Sequence, residues 1–247
     1  MKGYELRIRF CLFKDVPKEY INMIIAVAIN KLMEKNQYLK EIHQKQGFKK
    51  YCISGATPFE KINYKEAELY DFLIRTKDLK LIQNLRIAAN DFENNDLMFL
   101  DTELKIIDNR AKKIDLIETI TPAVAVLRDE KTNKTISWTK EKGLPVLEKA
   151  LLNNLIKKSG LEITDKSNLI KEIKLSSDYP VVINYKNKVK IMGYKLKVKF
   201  EDNEIAQKLA NIAVFEGVLT KNASLCCGFV KAFYDYSKNK RVTNNDK

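Results

Sequence analysis

The chain has 247 residues, with 45 Lys and Arg against 32 Asp and Glu, a formal net charge of +13 and a single histidine. That length allows one large or two ordinary domains with a buried core, and the cationic excess fits a polyanionic partner, because each neutralised phosphate releases condensed counterions. The longest apolar run, Ile21 to Ile29, falls short of the ~20 residues that span a bilayer, which argues against a membrane partner, and one histidine removes the usual His-rich metal constellations.

Met1 to Phe10 lacks the apolar core and cleavage site of a signal peptide. Cys11, Cys52, Cys226 and Cys227 show no metal-ligand spacing, and a vicinal pair is poor disulfide geometry. Both features place the chain in a reduced cytoplasm, with no metal and no cofactor expected. Tyr4, Leu6, Ile8, Phe10 and Leu12 alternate with Glu5, Arg7, Arg9, Cys11 and Phe13, so a first strand is predicted over residues 4–13, with Arg7 and Arg9 on one face. Pro17 opens a helix to about Glu34 with Ile21, Ile25, Ala28, Ile29 and Leu32 on a broad apolar stripe. A basic loop, Tyr38 to Tyr51, leads into a strand over Lys49 to Ser54. A strand over Glu68 to Thr76 follows, then a helix capped by Asp78 and running to about Ala89, and a strand over Leu97 to Ile107. The order βαββαβ is that of a ferredoxin-like unit.

The second half repeats that order. A long strand is predicted over Lys113 to Leu127, returning as Thr135 to Thr139 across a turn at Asp129 to Lys134. A helix follows over Leu144 to Lys158, with Leu147, Leu151 and Leu155 in register. Strands near Ile170 to Leu175 and Val181 to Tyr185 come next, then a turn at Asn184 to Asn187. Tyr194, Leu196, Val198 and Phe200 alternate with Lys195, Lys197 and Lys199, giving a strand with one buried and one cationic face. A helix from about Asn203 to Phe215, the loop Gly217 to Val230 and a last strand complete the unit. The fold class read from this pattern is α+β, two tandem ferredoxin-like (βαββαβ) domains over residues 1–110 and 113–236, with 237–247 a polar tail. Trp138 and most other aromatics have apolar neighbours and are expected in the core, as are Cys226 and Cys227 at a strand start.

The loop Gly217 to Val230 resembles the C-terminal glycine-rich loop of the CRISPR-associated endoribonucleases that cut precursor CRISPR RNA within its repeats, members of the RAMP superfamily. Gly217, Lys221, Asn222, Ser224, Leu225, Gly228 and Val230 match if one extra residue, such as Ala223, is allowed. Leu219 stands where that family has a glycine, Thr220 replaces an acid, and Cys226 and Cys227 replace a Gly-Phe pair. Thr121 to Val126 is similar to the family's Ser-Pro strand, and Leu151 to Lys158 to its helix ending in Leu-x-x-Asn-Leu and basic residues. The resemblance covers nearly the whole chain and implies two ferredoxin-like units side by side.

It also implies a metal-independent endoribonuclease of CRISPR repeat RNA, acting by attack of the 2′-hydroxyl and leaving a 2′,3′-cyclic phosphate and a 5′-hydroxyl. Such chemistry needs a base, an acid and a cation for the crowded phosphate. In the family a histidine follows the first helix, which makes His43 the natural candidate, while aligning Tyr38 and Leu39 to a Tyr-Leu-His version puts Lys40 at that place instead. An imidazole exchanges protons near neutral pH, whereas a lysine base requires a strongly lowered pKa. Tyr38 or Tyr51 can stand in for a helix tyrosine that has no clear counterpart, and Lys45, Lys49 and Lys50 cluster behind His43 to stabilise the phosphate. RNA is expected on Arg7, Arg9, Lys49, Lys50, Lys195, Lys197, Lys199, Lys221, Asn222 and Gly228, with phosphates held there and bases read elsewhere. The partners implied are precursor and mature guide RNA, a CRISPR effector complex and a second copy of the chain. The alternative is a subunit that holds repeat RNA without cutting it.

Overall fold

The computed structural model describes residues 1–128, 134–185 and 189–235. The first unit contains β1 (Lys2–Leu12), the short β2 (Val16–Pro17), α1 (Lys18–Met33), α2 (Gln37–Gln44) and β3 (Tyr51–Ile53). It continues with the short β4 (Asn63–Tyr64), β5 (Leu69–Thr76), α3 (Leu79–Ala89) and β6 (Leu97–Asp108). Four of its strands form an antiparallel sheet ordered β3-β5-β1-β6. The alternation of β1 puts Leu6, Ile8, Phe10 and Leu12 at most 1% exposed, where they meet Ile21, Ile25, Ile29 and Leu32 of α1 and Leu81, Ile82 and Leu85 of α3 in one core.

The second unit has β7 (Lys113–Thr119), the short β8 (Val126–Arg128) and β9 (Thr135–Ser137), α4 (Leu144–Ser159) and β10 (Ile170–Leu175). After these come β11 (Val181–Tyr185), β12 (Val189–Gly193), β13 (Leu196–Phe200), α5 (Glu204–Glu216) and β14 (Val230–Asp235). Its sheet is ordered β10-β13-β7-β14. Taking the four sheet strands of each unit in chain order, both sheets run second, third, first, fourth, the arrangement that βαββαβ connections produce when each helix crosses one face. The tandem ferredoxin-like architecture expected from sequence is therefore present, and Trp138 is buried at 1% exposure.

Two expectations need correction. The segment after α1 is not a loop: Asn36 caps α2 by accepting the Leu39 N–H at 2.8 Å, and Leu39 and Ile42 turn toward the first core. The strand from Lys113 ends at Thr119; past Pro122, which has no N–H to pair, only isolated bridges of Ala123 to Tyr194 and Val124 to Thr220 precede β8. The strand expected at Val181 to Tyr185 is present as β11, which stands apart from the sheet and pairs only with β12. The predicted turns at Asp129 to Lys134 and Asn184 to Asn187 fall largely, and the 237–247 tail wholly, outside the described residues. Among the described residues no helix is long and apolar enough to cross a membrane.

The two units meet across the outer face of the first sheet. A Cβ on Gly3 of β1 would lie 2.3 Å from the Phe215 ring of α5, so only glycine lets that helix lie so close. Arg75 of β5 donates to Glu5 Oε2 at 2.7 Å and to the Val230 carbonyl of β14 at 2.7 Å, and its guanidinium stacks 4.3 Å from the Phe229 ring centroid. Lys77 Nζ reaches the fully buried carboxylate of Glu216 at 2.8 Å. Removing one partner of such a half-buried pair strands the other charge. Arg75→Ala is therefore expected to cost about 2 kcal/mol and lower the thermal midpoint by ~4–8 °C; a shift below ~1 °C in a calorimetric scan would refute a stapling role.

Candidate nucleic-acid interface

The loop between α5 and β14 lies at the junction of the units and is built from both. Gly217 ends α5 with φ +72°, and three non-glycine residues, Leu219, Lys221 and Cys226, also have positive φ. For residues with a Cβ that conformation costs of order 1 kcal/mol each, so the loop must be held by its surroundings. Two of the strained positions, 219 and 226, are those where the resembling family has glycine. Positive φ is thus held at these positions without the residue type that normally permits it.

Several contacts hold it. Thr220 N–H donates to the Val124 carbonyl at 3.1 Å, Gly228 N–H to the Pro122 carbonyl at 2.9 Å, and Ile53 N–H to the Asn222 carbonyl at 3.3 Å. Cys226 is fully buried in the core of the first unit, and its thiol, like those of Cys52 and Cys227, is pushed up by burial and stays protonated. Asn222 is 7% exposed; its amide donates to the carbonyls of Val218 at 2.9 Å and Cys227 at 2.7 Å. Its side chain therefore shapes the loop from within, where contact with RNA had been expected. Gly228 is likewise interior, with φ +65° and a hypothetical Cβ 2.1 Å from the Val218 carbonyl oxygen.

Lys158, in the last turn of α4, completes the loop from below. It is 6% exposed, and its ammonium donates to the carbonyls of Glu216 (3.1 Å), Gly217 (2.7 Å) and Leu219 (3.1 Å) and to Asn222 Oδ1 (2.8 Å). Burial pushes its pKa down to about 8, against an opposing pull from Cys52 and Glu216. At neutral pH it remains a cation. Sequence reasoning saw this lysine only as part of a basic helix end.

The histidine segment runs beside that loop. Phe48 lies 5.8 Å from Lys158 Nζ, on the stretch connecting α2 to β3. His43 is half-buried near the C-terminus of α2, with Lys40 exposed one turn earlier on the same face and Lys45 and Lys50 exposed beyond it. Lys49 turns back on the helix end: its ammonium donates to the carbonyls of Ile42 at 3.0 Å, His43 at 2.6 Å and Lys45. Cationic termination of this kind offsets the negative end of the helix dipole, and partial burial lowers the Lys49 pKa. Tyr38 faces away from this group. Its hydroxyl donates to Asp78 at 3.3 Å and its ring is covered by Lys80 at 4.3 Å; burial, with Asp78 adding to it, raises its pKa, so it stays a phenol.

The predicted cationic strands differ from each other. Arg7 is ion-paired with Glu103 at 2.8 Å and Asp71 at 3.6 Å, and Arg9 with Asp71 at 3.1 Å, because the register sets Arg9 opposite Asp71 and Asp101, and Arg7 opposite Glu103. On the second sheet the register aligns Lys174, Lys197, Glu118 and Lys231 across four strands, with Phe233 exposed beside Lys231. Lys197 sits 3.5 Å from Glu118 and half its side chain faces solvent. Lys199 projects from the same face, whereas Lys195 lies outside β13 and lines a cleft of about 610 Å³ between the units, with Asn22, Thr57, Pro122 and Phe229. Among the described residues no group of His, Cys, Asp and Glu is placed to hold a metal.

No protein-family model and no curated protein matches the chain. Solved structures do. The chain is similar to a CRISPR associated protein Cas6 at 18% identity and TM-score 0.67, over 94% of this chain and 99% of the other. It is similar to a RAMP protein described as binding different RNA substrates at 17% identity and TM-score 0.68, over 93% and 99%. It is also similar to the product of a Cas6-related gene from Pyrococcus furiosus at 17% identity and TM-score 0.66, over 94% and 98%. The fold of this chain is that of the Cas6 and RAMP proteins.

Proposed function

We propose that this chain, having the Cas6 and RAMP fold, is an endoribonuclease of CRISPR repeat RNA that works without metal. The observation that supports this proposal is at the junction of the units: Phe48, five residues after the chain's only histidine, lies 5.8 Å from the Lys158 ammonium that holds the loop resembling the family's RNA-binding loop. The first unit, residues 1–110, supplies His43, and the second, 113–236, supplies the loop and a lysine-rich sheet face. His43 takes the 2′-hydroxyl proton, the oxygen attacks the adjacent phosphorus as the bond to the 5′-oxygen breaks, and water protonates the departing 5′-oxygen. Lys40 and Lys45, exposed around His43, supply positive charge for the crowded phosphate. The RAMP relative described as binding different RNA substrates supports the partner class; the cytoplasm is the compartment where such a transcript is met.

The decisive assay incubates the purified chain with repeat RNA in excess EDTA. Cleavage to a cyclic phosphate is the expected result, blocked by a 2′-deoxy substitution at the scissile nucleotide; binding without cutting would support the alternative, a non-cleaving repeat-binding subunit. That second possibility is favoured by one feature, the loss of Tyr38 to Asp78 and Lys80.

Charge pairing also predicts which cations face RNA. Each phosphate contact to a single strand contributes about −0.7 to the slope of log affinity against log salt concentration. Lys199→Ala is expected to reduce that slope by about 0.7. Arg7→Ala, removing a cation already matched by Glu103 and Asp71, is expected to leave it unchanged. A slope loss confined to Arg7→Ala would put the RNA on the other sheet.

A further inference from the structure

We infer that Lys158 is the positioning residue of the RNA-facing loop, a cation that sets the loop's shape from beneath without touching RNA; this rests on the repeat-RNA reading above. The geometry is that of an internal cross-link. The Lys158 ammonium gathers the carbonyls of Glu216, Gly217 and Leu219 on the outgoing limb and Asn222 Oδ1 at the tip. Asn222 Nδ2 carries the link onward to Val218 and to Cys227 on the returning limb. One cation and one amide thus fix both limbs.

The loop needs such a fixture because Leu219, Lys221 and Cys226 hold positive φ without being glycine. Hydrogen bonds from an ionised donor are about twice as strong as neutral ones, and here one ammonium shares its three N–H groups among four acceptors. Lys158 cannot reach solvent at 6% exposure, so it makes no phosphate contact. Its neighbour Lys157 is exposed and serves as the control for charge alone.

The test uses the full chain with Lys158→Met, Asn222→Ala and Lys157→Ala. Amide hydrogen exchange reads loop order without RNA. Lys158→Met is expected to accelerate exchange at Val218, Thr220 and Gly228 by about 100-fold while β1 and β5 keep their protection. Asn222→Ala should show a smaller change in the same amides, and Lys157→Ala none. Repeat-RNA affinity should fall at least about tenfold for Lys158→Met, with the salt slope unchanged, since no phosphate contact is lost.

Unchanged loop exchange in Lys158→Met overturns the assignment, as does a salt slope reduced by about 0.7, which would mean direct phosphate contact. Loss of β1 protection along with the loop's would show that Lys158 supports the whole fold, and that too overturns a role confined to the loop. If Lys158→Met cannot be obtained folded, wild-type exchange in Asn222→Ala overturns it. A wild-type chain that binds no repeat RNA defeats the functional proposal alone, because the exchange measurement still decides what Lys158 does to the loop.

Discussion

His43→Ala is expected to slow cleavage of repeat RNA by ~10²–10⁴-fold in excess EDTA, the usual worth of a general base, while RNA affinity stays within about threefold. The chain has no second histidine to take over, and Lys49 anchors the His43 carbonyl, so the imidazole is presented from a fixed helix end. The backbone survives the substitution because Leu39 and Ile42, not His43, anchor α2 to the core. Lys40→Ala, on the same face and exposed, should leave the rate within about tenfold. Single-turnover cleavage with binding measured in parallel separates the outcomes. Loss of cleavage only in Lys40→Ala moves the base to Lys40; a full wild-type rate in both variants overturns the assignment of chemistry to α2. If affinity and rate fall together in His43→Ala, the histidine holds RNA and does not take its proton.

Gly228→Ala is the substitution expected to damage the fold most. Its φ of +65° disfavours any L side chain, and the added Cβ would stand 2.1 Å from the Val218 carbonyl oxygen and 2.8 Å from Asn222 Nδ2. Neither neighbour can move freely. Val218 N–H is bonded to the Gly228 carbonyl at 2.9 Å, and Gly228 N–H to Pro122 at 2.9 Å, so the clash is between backbones pinned to each other. The cost should be about 3 kcal/mol or more, lowering the thermal midpoint by ~6–12 °C. Gly160→Ala is the comparison. It ends α4 with φ +70° but has nothing within 4 Å of the added Cβ, so only backbone strain of ~1 kcal/mol applies. Equal midpoints for the two variants would show that the contact with Val218 is not what requires glycine at 228.

Much of the fold was legible because its strands are half-buried. Leu6, Ile8, Phe10 and Leu12 of β1, and Leu196, Val198 and Phe200 of β13, alternate with polar residues and are buried in that register, since a strand with one wet face writes its orientation directly into sequence. The Asp78 cap of α3 and the Asn203 cap of α5 were equally local, each side chain accepting an N–H three residues on. Helix α2 escaped notice because eight residues carry barely two turns, and its apolar residues, Leu39 and Ile42 among charged neighbours, make too short a stripe to register as periodic.

What the sequence by itself determined was the order of elements, the tandem ferredoxin-like plan and the glycine-rich loop, because each depends on spacing within a few residues. The tertiary structure alone decided which charges remain available and which are used inside. Arg7 and Arg9 meet acids from β5 and β6 only once strand register is set. Lys158 becomes a buried fixture only when α5 and its loop close over the end of α4. A lysine and an arginine carry the same sign at every stage of the chain; burial and the nearest oppositely charged group settle what that charge does, and both are set by residues distant in sequence.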